Sequence, residues 1–187
     1  MKPYMITVTG LPGVGKIFVS KQLTKILDTV YLDEDRIKHK LLPELLGKEK
    51  YEWYIKHQKL FSPDIRLKMY EDLYSEIEDR LKLRKNVIVD GVFYLQRFRQ
   101  DLYDIANSCN VDFYLVEVIC PEEIVKERMN KRFKEENATA RFGIYREIKK
   151  VWEPIKEEHI IIDSGEDIDK QIKHFFKEQF HTASQFL

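Results

Sequence analysis

Residues 4–9 (YMITVT) form an unbroken apolar, β-branched run that stops at Gly10, the pattern of a strand buried on both faces with a tight turn behind it. From Lys16 to Leu27 the apolar positions Ile17, Val19, Leu23, Ile26 and Leu27 recur at helical spacing, so the chain opens as strand, glycine-rich loop and helix. A second strand is predicted over Thr29 to Leu32. Acidic residues and a helix through Ile37, Leu41, Leu42, Leu45 and Leu46 follow it, ending at Gly47. Tyr51 to Leu83 reads as helix broken at Ser62-Pro63-Asp64, where Ser62 suits a cap and Pro63 a first helical position, and it is expected to lie over the sheet as a helical insertion.

Val87 to Val89 and Phe113 to Ile119 are continuous apolar strands with a helix over Gln96 to Asn107 between them. Pro121 opens another helix whose first turn carries Glu122 and Glu123, where negative charge favours the dipole. A polar stretch, Phe133 to Thr139, precedes a helix ending near Trp152-Glu153-Pro154. His159 to Ile162 is a last short strand, and Ile168 to Phe180 a closing helix. Strands alternating with helices predict an α/β fold with a mostly parallel five-stranded sheet covered on both faces, because parallel strands need crossover helices. One domain is expected over residues 1–187, with a lid over about 128–146 and a frayed tail over 181–187.

Composition changes this picture little. Hydrophobic residues make up 43% and charged residues 34%, which suits a folded core under an ionised surface. Lys plus Arg and Asp plus Glu both total 32, so no global field demands nucleic acid or an anionic membrane, although a local basic patch is compatible with the balance. Cys109 and Cys120 have neither CxxC nor zinc-ligand spacing, which argues against a metal or redox framework. The N-terminal apolar run is too short for a signal peptide or a membrane span, making the cytoplasm the default compartment.

The chemistry starts at Gly10-Leu11-Pro12-Gly13-Val14-Gly15-Lys16. It matches G-x-x-x-x-G-K in the context that motif requires, after a strand and at the start of a helix. Glycines let successive amides turn inward on phosphate oxygens, the helix N-terminus adds positive character, and Lys16 reaches the β- and γ-phosphates. The glycine spacing sets aside a dinucleotide-binding dehydrogenase. Position 17 is Ile, where the motif places a Ser or Thr hydroxyl on a magnesium ion. Two accounts follow: either water and the carboxylates Asp33, Asp35 and Asp90 hold the ion, or the site binds nucleotide poorly or without turnover as a degenerate binding module.

Asp33, Glu34 and Asp35 emerge at the C-terminal end of the second strand, the edge where open α/β sheets bind ligands. Asp35 is the candidate for orienting or deprotonating an attacking hydroxyl, Asp33 for supporting metal water or substrate. Lys38, three residues after Asp35, offers a cation to an anionic substrate. Asp90 closes an apolar strand as a magnesium-binding carboxylate acting through water does, and Gly91 permits close approach. Arg128 and Arg132, four apart on one helix, are candidate phosphate clamps beside the predicted lid. The aromatic set Tyr51, Trp53, Tyr54, Phe61, Tyr70 and Tyr74 is read as core ahead of a substrate pocket.

Taken together, GLPGVGK, LDEDRIK, VIVDGVF followed by Arg99, and ERMNKR followed by WEP resemble the AAA_33 P-loop kinases over nearly the whole chain. This grouping includes polynucleotide 5′-hydroxyl kinase domains and is related to zeta toxins, seryl-tRNA(Sec) kinase and gluconate-type kinases. The resemblance implies a three-layer P-loop fold, ATP as donor, magnesium, and a hydroxyl acceptor on a small molecule or an RNA end. By matching position it implies roles for Lys16, Asp35, Asp90, Arg99, Arg128 and Arg132, with Asp35 and Asp90 near the metal and Arg99 near substrate. LDEDRIKHKL is also similar to a stretch of adenylylsulfate kinases, but another segment expected of them is absent where VIVDGVF stands. Ile17, and Lys38 in place of the usual Arg, depart from the wider family.

Overall fold

The computed structural model describes residues 2–135 and 142–179. In chain order the elements are β1 (Tyr4–Thr9), α1 (Lys16–Ile26), β2 (Val30–Asp33), α2 (Glu34–Leu46), α3 (Lys48–Lys56) and α4 (Pro63–Lys82). They continue with β3 (Val87–Asp90), α5 (Gln96–Ser108), β4 (Asp112–Ile119), α6 (Glu122–Glu135), α7 (Phe142–Val151), β5 (Ile160–Asp163) and α8 (Ile168–Gln179). The strands form one parallel sheet in the order β2-β3-β1-β4-β5. Every residue of the central β1 is buried, as its unbroken apolar run predicts.

Side-chain alternation along the strands divides the interior into two cores. Met5, Leu32, Val87 and Val89 point to the layer holding Leu42 of α2, Leu73 and Ile77 of α4, and Phe98 and Leu102 of α5. Ile6, Val8, Ile88, Val116 and Ile162 point to the other, with Val19 and Leu23 of α1, Val125 and Met129 of α6, and Ile172 of α8. This is the three-layer α/β arrangement. From β1 the chain crosses through α1 toward β2, whereas from β3 it crosses through α5 toward β4. Right-handed crossovers running in opposite directions put α1 and α5 on opposite faces and open a crevice at the C-terminal ends of β1 and β3.

Local chemistry sets the boundaries near that crevice. Asp33 closes β2 and caps α2, its carboxylate accepting from the Arg36 amide at 2.7 Å. Gly47, at φ 79°, ends α2, and Ser62 caps α4 by accepting from the Ile65 amide at 3.4 Å, with Pro63 at the first helical position. Arg36 pairs with Glu76, tying α2 to the α4 insertion. The central segment of the predicted lid, 136–141, and the predicted tail, 181–187, lie outside the described residues.

Candidate active site

The loop between β1 and α1 turns through three glycines with positive φ, Gly10 at 146°, Gly13 at 83° and Gly15 at 102°. Close packing reinforces the backbone requirement. A Cβ at Gly10 would lie 2.3 Å from the Val118 carbonyl oxygen, and one at Gly13 would lie 2.7 Å from the Met129 side chain. Gly15 caps α1 with no side-chain hydrogen bond, and the first turn holds no acid, so the positive end of the helix is left for an outside anion. Leu11, Pro12 and Ile17 are half-buried around the loop and Val14 is buried.

Lys16 is folded into the loop it belongs to. Its Nζ donates to the carbonyls of Gly10 at 3.1 Å and Leu11 at 3.2 Å, and the side chain is buried. Burial pushes the ammonium pKa down, while the charges of Asp90, Glu34 and Asp35 oppose that shift. Three carboxylates are thus close enough to act on the loop lysine.

The acids around the crevice differ sharply from one another. Asp90 is buried, and burial raises its carboxyl pKa to about 6, against the opposing hydrogen bond donated by the Tyr31 hydroxyl. Burial and the Asp90 charge raise the Tyr31 phenol in turn, so it remains a donor. Asp33 stands opposite Asp90 in the β2–β3 register. Asp35 is 56% exposed and ion-pairs with Lys38; partial desolvation by the surrounding protein raises its pKa, but the Lys38 and Lys16 ammonium groups more than offset this and bring it below the ordinary carboxylate value. Among the described residues no group of three or more His, Cys, Asp or Glu side chains converges as an ion cage. The donor set nevertheless suits magnesium, a hard ion that keeps most of its waters and needs only one or two protein carboxylates beside phosphate oxygens.

Glu34 is buried and bridges three segments. One oxygen pairs with Arg66 Nη1 at 2.8 Å, and the other accepts from the Val92 amide at 2.5 Å just beyond β3. Arg66 lies 5.1 Å from the Tyr94 ring centroid, and its Nη1 is 3.4 Å from the Tyr70 hydroxyl. The α4 insertion is thereby fastened to the loop following Asp90.

Arg128 reaches the phosphate loop through Ser164. Its Nη1 and Nη2 donate to the Ser164 hydroxyl and carbonyl, each at 2.9 Å, and the Ser164 hydroxyl donates to the Val14 carbonyl. Arg132, one turn further, is exposed in the last turn of α6.

A family model described as an AAA domain, AAA_33, matches residues 5–154. The chain belongs to the AAA_33 family. It is 30% identical over 128 residues to a candidate adenylate kinase of Methanocaldococcus jannaschii, covering 68% of this chain and 58% of that protein. It is 27% identical over 133 residues to the L-seryl-tRNA(Sec) kinase of Methanococcus maripaludis, covering 68% and 46%. The AAA_33 chain thus spans about half the length of the curated relatives it matches. A crystal structure of a sugar kinase from Janibacter sp. superimposes with a TM-score of 0.75 at 14% identity, covering 98% of each chain, a likeness of fold.

Within the AAA_33 fold, Arg99, the residue expected near substrate, is engaged by backbone carbonyls. Its Nη1 donates to Phe93 O at 2.8 Å and its Nη2 to the carbonyls of Glu153 at 2.9 Å and Pro154 at 3.4 Å, clamping the WEP segment to the loop after β3. The side chain is buried, and its hydrogen bonds are of the kind that fix a loop. Phe61 and Tyr70 are core residues and Tyr51, Tyr54 and Tyr74 pack against the same core, whereas Trp53 is 48% exposed and stacks on His57. Glu34, read from sequence only as one of three strand-end acids, and Arg66, Tyr31 and Ser164 had no individual role assigned from sequence. Of these only Tyr31 carries a sequence signal: it lies two residues before Asp33 and so shares its strand face.

Proposed function

We propose that this AAA_33 chain is an ATP-dependent kinase that moves the γ-phosphoryl group to a hydroxyl of a small molecule or an RNA end. The observation that carries this reading is the glycine loop closed around a buried Lys16, with the uncapped α1 terminus beneath it and Asp90 within electrostatic reach. Two of the proteins it resembles are named as kinases, one of a nucleotide and one of a seryl-tRNA, which supports phosphoryl transfer and leaves the acceptor to experiment.

In this reading the main chain of Gly10 to Ile17, Leu11, Pro12, Gly13, Val14 and Gly15 included, cradles the polyphosphate, and Lys16 exchanges its two carbonyl partners for phosphate oxygens. Asp90 would hold magnesium through water, with Asp35 nearby, and the ion would supply charge neutralisation along the triphosphate. The acceptor oxygen bonds to the γ-phosphorus as the bond from that phosphorus to the bridging oxygen breaks and ADP leaves. Asp35 orients the hydroxyl and takes its proton late, a modest demand on a carboxylate held below its usual pKa, because the transition state is loose and proton transfer lags. Asp33 fixes the start of α2 so that Asp35 and Lys38 face the crevice, where Lys38 attracts an anionic acceptor. Arg128 and Arg132 flank the loop from α6 as donors to phosphate oxygens, with Arg128 leaving Ser164 to do so.

Incubation with γ-labelled ATP, magnesium and a panel of hydroxyl acceptors tests the reading. The panel holds sugars, nucleosides, adenylylsulfate, tRNA and RNA with a 5′-hydroxyl; label should appear in one acceptor class and be lost in Lys16→Ala. An RNA acceptor should also bind with a steep salt dependence, and a small molecule without one. A second reading, a nucleotide-binding protein with weakened catalysis, is favoured by Ile17 alone and predicts ATP binding with no labelled acceptor.

A further inference from the structure

Ile17 leaves the nucleotide site short of the hydroxyl that its motif normally presents beside the metal-holding carboxylate. A hydroxyl does reach that carboxylate, but from another element. The Tyr31 hydroxyl of β2 donates to Asp90 Oδ2 at the end of β3. The strand register explains the encounter. Tyr31 stands opposite Ile88 and Asp33 opposite Asp90, so Tyr31 is the diagonal neighbour of Asp90 on one face of the sheet, within reach of a long side chain.

That face is the one α1 covers. Tyr31 packs into the same core as Val19 and Leu23 of α1 and Ile88 of β3. The first turn of α1 carries Lys16 and Ile17, and Lys16 and Asp90 attract each other there. The phenol therefore approaches Asp90 on the sheet face covered by α1, the helix that carries position 17, and it uses one carboxylate oxygen of Asp90.

We propose that Tyr31 is a positioning residue that replaces the missing hydroxyl of position 17, fixing the Asp90 carboxylate for a magnesium-bound nucleotide. The inference rests on the reading of the 10–16 loop as a nucleotide site. Tyr31 acts through Asp90, and the chain keeps magnesium coupling by moving a hydroxyl from α1 to β2.

The experiment is a calorimetric cycle: ATP titrated with and without magnesium into wild type, Tyr31→Phe, Ile17→Ser and the double variant, with thermal unfolding of each. Tyr31→Phe removes one oxygen and leaves the ring to pack. Its gain in ATP affinity on adding magnesium should fall about tenfold, the size expected for loss of a hydrogen bond to a charged group, while affinity without magnesium changes much less. Ile17→Ser should raise the magnesium gain far more in the Tyr31→Phe background than in wild type, since one hydroxyl stands in for the other. Equal effects of Ile17→Ser in both backgrounds, an unchanged magnesium gain in Tyr31→Phe, or tighter binding there would overturn the assignment of Tyr31. If wild type binds ATP and Lys16→Ala does not, any of those results sinks this inference and leaves the nucleotide site standing. If folded wild type binds no ATP, the site and the inference fall together.

Discussion

The two sides of the crevice are built from different materials. On the phosphate side, main-chain geometry does the work: three glycines at positive φ, a helix start without a side-chain cap, and Lys16 folded onto two carbonyls. On the side proposed for the acceptor the framework is made by side chains, with Glu34 joined to Arg66, 32 residues away, and to the Val92 amide, and Asp35 to Lys38 within one helical turn. A loop made of backbone tolerates many side chains and suits one chemical group, in our proposal the polyphosphate. A wall made of side chains can be rebuilt residue by residue, which is where relatives with different acceptors have room to differ.

The most damaging change to the acceptor wall should be Arg66→Ala. Both partners of the buried pair are only 6% exposed, so removing the guanidinium strands the Glu34 carboxylate and should cost about 3–5 kcal/mol in denaturant unfolding. ATP affinity of the folded fraction should change far less. A loss of ATP binding larger than the loss of stability would show that the two sides are not separable.

Asp90 sits on the seam between them, and its effect should be smaller and of opposite sign. In the protein free of nucleotide and magnesium, a carboxyl whose folded pKa is raised to about 6 keeps its proton after the unfolded chain has lost its own. Its contribution to stability is therefore fully present below about pH 4 and is lost as pH rises to about 6. Asp90→Asn escapes that loss. Its stability advantage over wild type should grow between those limits and level off at up to about 3 kcal/mol, taking about 1.4 kcal/mol for each unit of pKa shift. Urea melts at several pH values would follow the difference, and a constant offset would contradict the burial of that carboxylate. Magnesium-dependent ATP binding should be lost in the same variant, a trade of stability for function.

The smallest effect belongs to Asp33→Ala. Removing the cap that accepts from the Arg36 amide should lower stability by about 1 kcal/mol. If α2 thereby loses its start, phosphoryl transfer to the acceptor should fall while ATP affinity holds, sharpening the contrast between the two sides.

The same contrast decides how much was legible in the sequence. The fold followed from periodicity: the strand and helix succession was readable because apolar runs and caps are local, and Ser62, Pro63 and Gly47 sit where they were expected. The glycine-rich turn between β1 and α1 was legible for the same reason, since its requirements fall on seven consecutive residues. Asp33 and Asp35 were readable as acids at a strand end, but not which would cap a helix and which would meet Lys38. Glu34 was visible between them but had no role of its own, because what distinguishes it is Arg66, 32 residues away on another helix. Arg99 carried a motif position, yet its partners, carbonyls at Phe93, Glu153 and Pro154, are backbone atoms that no residue type announces. Strand order was likewise hidden, and with it the diagonal pairing of Tyr31 with Asp90.

The central claim is that the 10–16 loop grips the polyphosphate of ATP and that Lys16 is its charged contact. The most direct test is calorimetric titration of magnesium and ATP into wild type and Lys16→Ala, with circular dichroism verifying that both are folded. The account predicts saturable binding by wild type below millimolar ATP and a loss of about a hundredfold or more in the variant, as for a charge-assisted contact made inside a desolvated loop. Absence of heat from folded wild type at millimolar ATP, or equal affinity in the two proteins, would contradict it.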